Sequence, residues 1–364
     1  MQRRHVIVVG GGVIGCATAY RLARAGLQVT LVERDAIAAH ASAWNAGNLN
    51  PLHETPAALL PIALEAFRRH GELREELAPL ADRALRAEPV GRIFLGTDAA
   101  DRARLEATAA LFDRSPGFSA RWLDRRGLRQ LEPRVAEDIE FGLLTHGSLA
   151  VDGEAFTRGL ARAAGAFGAT RVHATVSGVA TSADRVTAVR TSSGSIACDA
   201  VVFATGPWVS DLHAWLGLDV PVEPVKGELL LVRFPGPGIA HDLTCGRACL
   251  YRRRDQEIWV GGTWEHAGLD ARPTAAGERI LFNFASRILP HIGAAQVLRH
   301  VAGLRPVSRS GLPLAAAALG WQNVYVANGG GAKGLLLSLS IAVSIRDMLL
   351  RGTAADPGTH RAEL

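Results

Sequence analysis

Three glycines, Gly10, Gly12 and Gly15, follow the apolar run 5–9 (HVIVV) at GxGxxG spacing. The first permits a tight turn, the second lets a pyrophosphate approach the backbone, and the third lets a helix pack closely on the strand. A helix beginning there, with Val13 and Ile14 in its first turn, would present free N–H groups and positive dipole to phosphates. A second apolar run, 29–32, finishes on Glu33, whose carboxylate can accept hydrogen bonds from both ribose hydroxyls of an adenosine. An acid at that point disfavours a 2′-phosphate, so the unit points to FAD or NAD rather than NADP. A GxGxxG alone is weak evidence. Strand, turn, helix, strand and terminal acid, in order within about 30 residues, are much stronger.

Two later turns carry related chemistry. Ala204-Thr205-Gly206 follows the buried-looking run 200–203, and small residues there allow the backbone to approach a large planar or dinucleotide ligand. Taken singly it is a common turn. Near the C-terminus the run 323–328 (NVYVAN) leads into Gly329-Gly330-Gly331-Ala332-Lys333-Gly334 and an amphipathic stretch to 350. N–H donors at that helix start would suit a flavin, whose pyrimidine edge becomes anionic on two-electron reduction. Arg305, in AGLRPVSRSGLP, reads as lying between a short strand and proline turns; its planar fork can hold a carboxylate bidentately. A surface ion pair is the alternative, since Arg309 stands close by. Tyr251 could offer its hydroxyl to the same carboxylate or simply pack in the core. With Lys333, these two form the candidate catalytic set. His53 and His146 are isolated and read as structural.

The elements that must position these residues occupy a chain of 364 residues, longer than a single core usually serves, so two domains are expected. Apolar content of 48% and charged content of 21% describe an ordinary globular protein. The formal net charge is +5 with arginines scattered among acids; the densest basic run, Arg252-Arg253-Arg254 beside Asp255, reads as a hairpin surface or a site wall, and no basic stripe supports nucleic-acid binding. Cys16, Cys198, Cys245 and Cys249 show no metal-ligand or disulfide pattern, which favours a reducing compartment and no metal. The basic residues before the first apolar run imitate a secretory leader, but glycines break the run; with no stretch long enough to cross a bilayer, a cytoplasmic protein is expected.

Helices are expected over 56–87, 99–111, 154–167, 274–290 and 334–350, with a loop from 112 to 140. Strands are expected over 90–95, 171–203 and 219–265, those of 171–203 joining a mostly parallel sheet and those of 219–265 an antiparallel one. The fold class expected is α/β, α+β overall: a nucleotide domain of three segments (1–90, 142–220 and 300–364) with a mixed, mainly antiparallel-sheet domain (91–141 and 221–299) interleaved between them.

Over essentially its whole length the chain resembles the D-amino-acid oxidase-like (DAO) family of FAD-dependent amine oxidoreductases. The resemblance rests on VVGGGVIGCATAYRLARAGLQVTLVER (8–34), ASAWNAGNLNP (41–51), GSLAVDGEAFTRGLARAAGAFGA (147–169), VVFATGPWVSDL (201–212), VPVEPVKGELLL (220–231), VGGTWE (260–265), AGLRPVSRSGLP (302–313) and NGGGAKGLLLS (328–338), in the family's order. It implies a Rossmann-like FAD-binding domain beside a mixed, mainly antiparallel-sheet substrate-binding domain, and a non-covalent FAD with Gly10, Gly12, Val13, Ile14, Gly15, Glu33 and Arg34 on the ADP half. Ser42, Asn45, Ala46, Gly47, Asn48 and Leu49 would run along the flavin or its pyrophosphate, and Val176 would meet the adenine side. Ala204, Thr205, Gly206 and Trp208 would line the ring system, and Gly330, Gly331, Ala332, Lys333 and Gly334 the pyrimidine edge. Arg305 would anchor a substrate carboxylate. The sequence departs from the family in carrying Asn328 where His is frequent, Ser310 in place of an acid, and LYRRR where a tyrosine–proline–arginine pattern is common.

The implied activity is oxidation of the C–N bond of a D-amino acid, glycine or a secondary amino acid such as a proline derivative, by hydride transfer to flavin N5. Oxygen or another electron acceptor would take the electrons. The alternatives are a dehydrogenase subunit passing electrons to a quinone or partner flavoprotein, and a non-catalytic dinucleotide-binding protein. Either a homo-oligomer or a heteromeric subunit is compatible with the sequence.

Overall fold

The computed structural model describes residues 3–77, 85, 87–254 and 256–351; Asp255, the part of the expected 56–87 helical stretch over 78–84, and the segment 352–364 lie outside the described residues. A six-stranded sheet runs in the order Leu314–Ala317, Val324–Asn328, Ala200–Phe203, His5–Val9, Gln28–Glu33, Thr170–His173. All neighbours are parallel except the first pair. Alternation along the strands divides two cores. Val6, Val8, Leu31 and Val202 face a layer containing helices Val13–Arg24, Leu60–Glu76, Gly153–Ala166 and Gly334–Arg351. Ile7, Val9, Val32, Val201 and Phe203 face the other way, onto helix Ser210–Leu216 and a three-stranded sheet, Val176–Ser182, Arg185–Thr191 and Gly194–Ala197. The parallel strands are buried on both faces, which is why they read as continuous apolar runs.

A nine-stranded sheet forms the second layer. Its order is Gln296–Ser308, Val222–Arg233, Glu257–Gly261, Ala248–Arg252, Asp242–Cys245, Glu88–Gly96, Phe141–Ala150, Asn48–Leu49, with Ser119–Leu123 also paired to Phe141–Ala150. Every pair is antiparallel except Asp242–Cys245 with Glu88–Gly96. Helix Ala275–Ser286, capped by Thr274 accepting from the Gly277 N–H, covers one face through Leu281 and Ala285.

Four expectations need correction. The presumed loop 112–140 contains strand Ser119–Leu123 and helix Arg125–Leu131, the latter started by Asp124 accepting from the Gly127 N–H. Its short, charge-rich elements hide any period. Of the strands expected over 171–203, Thr170–His173 and Ala200–Phe203 join the parallel sheet, whereas the three between them form their own antiparallel sheet. Arg305 lies not between a short strand and proline turns but inside a 13-residue strand, because Pro306 and Pro224 face each other across the pair 222–233/296–308, where neither breaks the ladder. Finally, the boundaries at 142 and 300 cut through strands: Phe141–Ala150 and Gln296–Ser308 belong to the nine-stranded sheet, as do Asn48–Leu49 and Glu88–Gly96. Among the described residues, no helix is long and apolar enough to cross a membrane and no cluster could hold a metal ion.

Candidate active site

A cavity of about 370 Å³ runs from the carboxyl ends of the parallel strands to one face of the nine-stranded sheet. At its nucleotide end Gly10 adopts φ +112°, donates its N–H to the Val32 carbonyl, and lies so close to the Ala204 carbonyl that any Cβ would collide with it. Gly15 is packed against the Gly10 carbonyl in the same way. It does not itself line the cavity; its smallness brings the helix onto the turn. Helix Val13–Arg24 begins at Gly12 without a side-chain cap of its own, and Ser42, 29 residues on, accepts the Val13 N–H at 2.9 Å. Glu33 accepts N–H groups from Gly11 and from Asp35, the latter at 2.8 Å, so its carboxylate is fixed at the cavity wall. Gly11 is part of that device: a Cβ there would meet the Glu33 side chain. The motif pattern treats this position as free, so sequence reasoning missed it.

The loop following Glu33 is held by its own polar groups. Asn45 donates to the carbonyls of Ala41 (3.1 Å) and Ser42 (2.8 Å) and accepts from the Gly47 N–H (2.8 Å). Gly47, at φ +69°, gives its carbonyl to the Val151 N–H. Ala46 and Asn48 line the cavity; Leu49 is fully buried behind it. Val176 lines the nucleotide side together with Ala174, whose N–H bonds the Glu33 carbonyl. The Trp208 ring lies 4.5 Å from the Arg34 guanidinium and 4.8 Å from the His40 ring. His40 in turn bonds Asp35 at 2.8 Å. Trp208 thus stands with the segment following Glu33 and not with Arg305.

The two other small-residue turns meet each other. Asn328, fully buried, donates to the Gly206 carbonyl at 2.7 Å and accepts the Gly329 N–H at 2.8 Å. One carboxamide therefore fixes the C-terminal glycine turn against the 204–206 turn. Gly331, Ala332, Lys333 and Gly334 line the cavity, while Gly330 packs against Gly334 behind them. Lys333 donates to the carbonyls of Asn50 (3.0 Å) and His53 (2.8 Å), and burial draws its pKa down to about 8. His53 contributes only its backbone here; its ring rests 4.7 Å from Phe94, and burial lowers its pKa well below the usual imidazole range. His146 sits in the ladder opposite Ser119.

At the far end Arg305 lies across Gly227, the residue that pairs with Gly303 on the neighbouring strand. Its Nη1 donates to the Thr263 carbonyl at 3.0 Å, and its guanidinium carbon stands 5.3 Å from the Trp264 ring centre. Burial pulls its pKa down, and it pairs with no carboxylate among the described residues. Arg309, by contrast, is an exposed partner of Glu223. Tyr251, Leu229, Trp44 and Gly262 complete this end. Burial raises the Tyr251 phenol above its ordinary range, and the buried Arg92 guanidinium lies 5.0 Å from its ring. Arg92 is itself paired with Asp242 at 3.0 Å, and Asp242 also accepts from Asn48 and the Arg252 N–H. Gly227, Gly303, Trp44 and the 262–264 segment lie within stretches that carry the family resemblance, but no role was given to them from sequence. An isolated glycine inside an apolar strand, as in KGELLL, is the signal that could have marked one of them.

These residues fit an adenine dinucleotide whose second half is a flavin. The Gly10–Ala204 and Gly12–Ser42 approaches leave a cradle that a Cβ would fill. Thr205 Oγ1, buried at the cavity wall, has no hydrogen-bond partner. The helix N-terminus directs N–H groups into the same space. The cavity is continuous through the 204–206 and 331–334 turns to Arg305, well beyond an ADP moiety.

Comparison with known proteins agrees. The family model DAO, FAD dependent oxidoreductase, matches residues 5–348. Glycine oxidase of Pseudomonas putida is 31% identical over 97% of this chain and 96% of its own. The crystal structure of glycine oxidase from Geobacillus kaustophilus superposes with a TM-score of 0.88 at 28% identity, covering 100% of both chains. Iminodiacetate oxidase from Chelativorans sp. BNC1 shares the fold with a TM-score of 0.87 at 24% identity, over 96% of each chain. The chain belongs to the DAO family of FAD-dependent oxidoreductases, and FAD is its cofactor.

Proposed function

We propose that this oxidoreductase acts on the C–N bond of a small amine that carries a carboxylate: glycine, a D-amino acid or a secondary amino acid. The observation that carries this reading is Arg305, a half-buried guanidinium without a carboxylate partner among the described residues, at the end of the cavity opposite the dinucleotide turn. The glycine oxidases, at 30–31% identity over nearly the full chain, support the same class. In this reading the six-stranded sheet carries the cofactor half and the nine-stranded sheet the substrate half.

FAD, when bound, supplies the acceptor for two electrons and the α-hydrogen. The chain's own residues bind and orient. Arg305 holds the carboxylate through its forked N–H groups, turning binding energy into alignment of the α-C–H. Leu229 and Trp44 line the space beside it and keep water from the reacting carbon. Tyr251, its phenol pKa raised by burial, stays protonated and offers a hydrogen-bond donor rather than a base. Among the described residues the acids of the cavity wall are Glu33 and Asp211, neither beside Arg305 in this reading, a lining that suits an amine in its neutral form. Lys333, held on two carbonyls, adds positive charge to the wall, which favours a site that receives electrons.

The test is anaerobic bleaching of the bound flavin's visible absorption by glycine, sarcosine, D-amino acids and proline derivatives, with the decarboxylated amines as controls. Bleaching by carboxylated amines alone supports the reading; equal bleaching by the controls refutes it. Peroxide formation under air then separates an oxidase from a dehydrogenase that needs a quinone or protein acceptor.

A further inference from the structure

Strand Val222–Arg233 places Gly227 against Arg305 and points its neighbours, Lys226 and Glu228, out of the opposite face. Both neighbours are buried, Glu228 completely. The Glu228 carboxylate accepts from Lys226 Nζ (3.1 Å), the Thr274 N–H and hydroxyl (3.0 Å each), and His300 Nε2 (2.7 Å). Lys226 Nζ also meets Glu265 (3.0 Å) and the Arg272 carbonyl (3.4 Å). Glu278, on the helix that Thr274 caps, stands 4.0 Å from the other His300 nitrogen. A buried ion pair such as Lys226 and Glu228 is costly in itself and contributes little net stability over apolar packing, so its placement calls for another reason.

That reason lies in the segment 262–274, which begins at the cavity and ends on Glu228. Its first residues do two things for Arg305: the Thr263 carbonyl accepts from Nη1, and the Trp264 ring, 46% exposed, covers the guanidinium from outside. Near the cavity the segment is tied to the strand by backbone bonds between Lys226 and Glu265 and between Thr263 and Glu228. At its far end the ties come from side chains, those of Glu228 to Thr274 and of Lys226 to Arg272. We propose that Glu228, with Lys226, is a positioning residue for substrate binding: from the back of the sheet it fastens the 262–274 strap, and the strap sets the direction of the Arg305 guanidinium. The inference rests on Arg305 being the carboxylate anchor.

The test uses the FAD-loaded enzyme and propionate, a carboxylate with no amine to oxidise, whose binding is read from the shift in flavin absorption. Glu228→Gln keeps the shape and removes the charge. It is expected to raise hydrogen–deuterium exchange across 263–274 and to weaken propionate binding about 3- to 30-fold, with FAD affinity unchanged. Glu265→Gln, on the half-exposed strap, is expected to act in the same direction and decides the matter if Glu228→Gln does not fold. Unchanged propionate affinity in a folded variant, or FAD affinity falling in parallel, overturns the inference while the anchor reading stands. No flavin response to propionate in the wild type, or an Arg305→Leu response equal to the wild type's, overturns the anchor reading and the inference with it.

Discussion

Replacing Gly227 by alanine is the sharpest test of the substrate end. A Cβ at this position would fall on the Arg305 guanidinium, overlapping Nη1, Nη2 and Cζ together. The Gly227 backbone is not in the left-handed region, so alanine fits the chain itself. The clash is with the far end of a flexible side chain, and the fold loses no more than about 1 kcal/mol. The guanidinium has to leave its place instead. A hydrogen bond to a charged partner is worth about 1.5–3 kcal/mol, and truncating a buried charged pair costs about 2–5 kcal/mol. Loss of about 2–4 kcal/mol corresponds to a KM for a carboxylated amine raised about 30- to 1,000-fold. The assay is steady-state oxidation of the best substrate, with the melting temperature measured alongside. Arg305→Leu removes the group that clashes, so Gly227→Ala on that background should add almost nothing, a strongly non-additive cycle. A near-normal KM for Gly227→Ala, or equal multiplication of its effect in both backgrounds, refutes the geometry.

Two further outcomes follow from the nucleotide end and from the C-terminal turn. Ser42→Ala strips the Val13 N–H of its acceptor at the start of the first helix, a loss worth about 1 kcal/mol. The apoprotein should lose about that much stability in a urea titration; an unchanged midpoint would show that Ser42 does not hold the helix start. Lys333 has a native pKa of about 8, below its unfolded value near 10.5, so the unfolded chain binds more protons between these values. Stability from this group therefore rises with pH across that window, and the apoprotein's advantage over Lys333→Met should grow by about 1–3 kcal/mol from pH 8 to 10.5. Parallel stability curves for the two proteins in urea would contradict the buried ammonium.

The dinucleotide end was legible in the sequence because its chemistry is local. A tight turn, a free helix N-terminus and an acid at the next strand's end are all encoded within residues 5–33, and Gly10, Gly12 and Glu33 stand where the spacing places them. Buried parallel strands added a second local signal, the apolar runs 200–203 and 324–328. What joins these runs was not local: Asn328 binding Gly206 across 122 residues turns two ordinary glycine turns into one wall. The opposite end of the cavity, where Arg305 lies, depended much more on tertiary structure. Antiparallel register sets Gly227 opposite Gly303 and lays Arg305 over it, while Trp44, Tyr251 and Gly262 arrive from three other segments. The sequence by itself therefore determined that an adenine dinucleotide is held, since consecutive backbone groups suffice for phosphate. Arg305 and Tyr251 were candidates from the sequence, but only the tertiary structure decided that they share one end of the cavity, because the direction of a guanidinium is fixed by residues far apart in the chain.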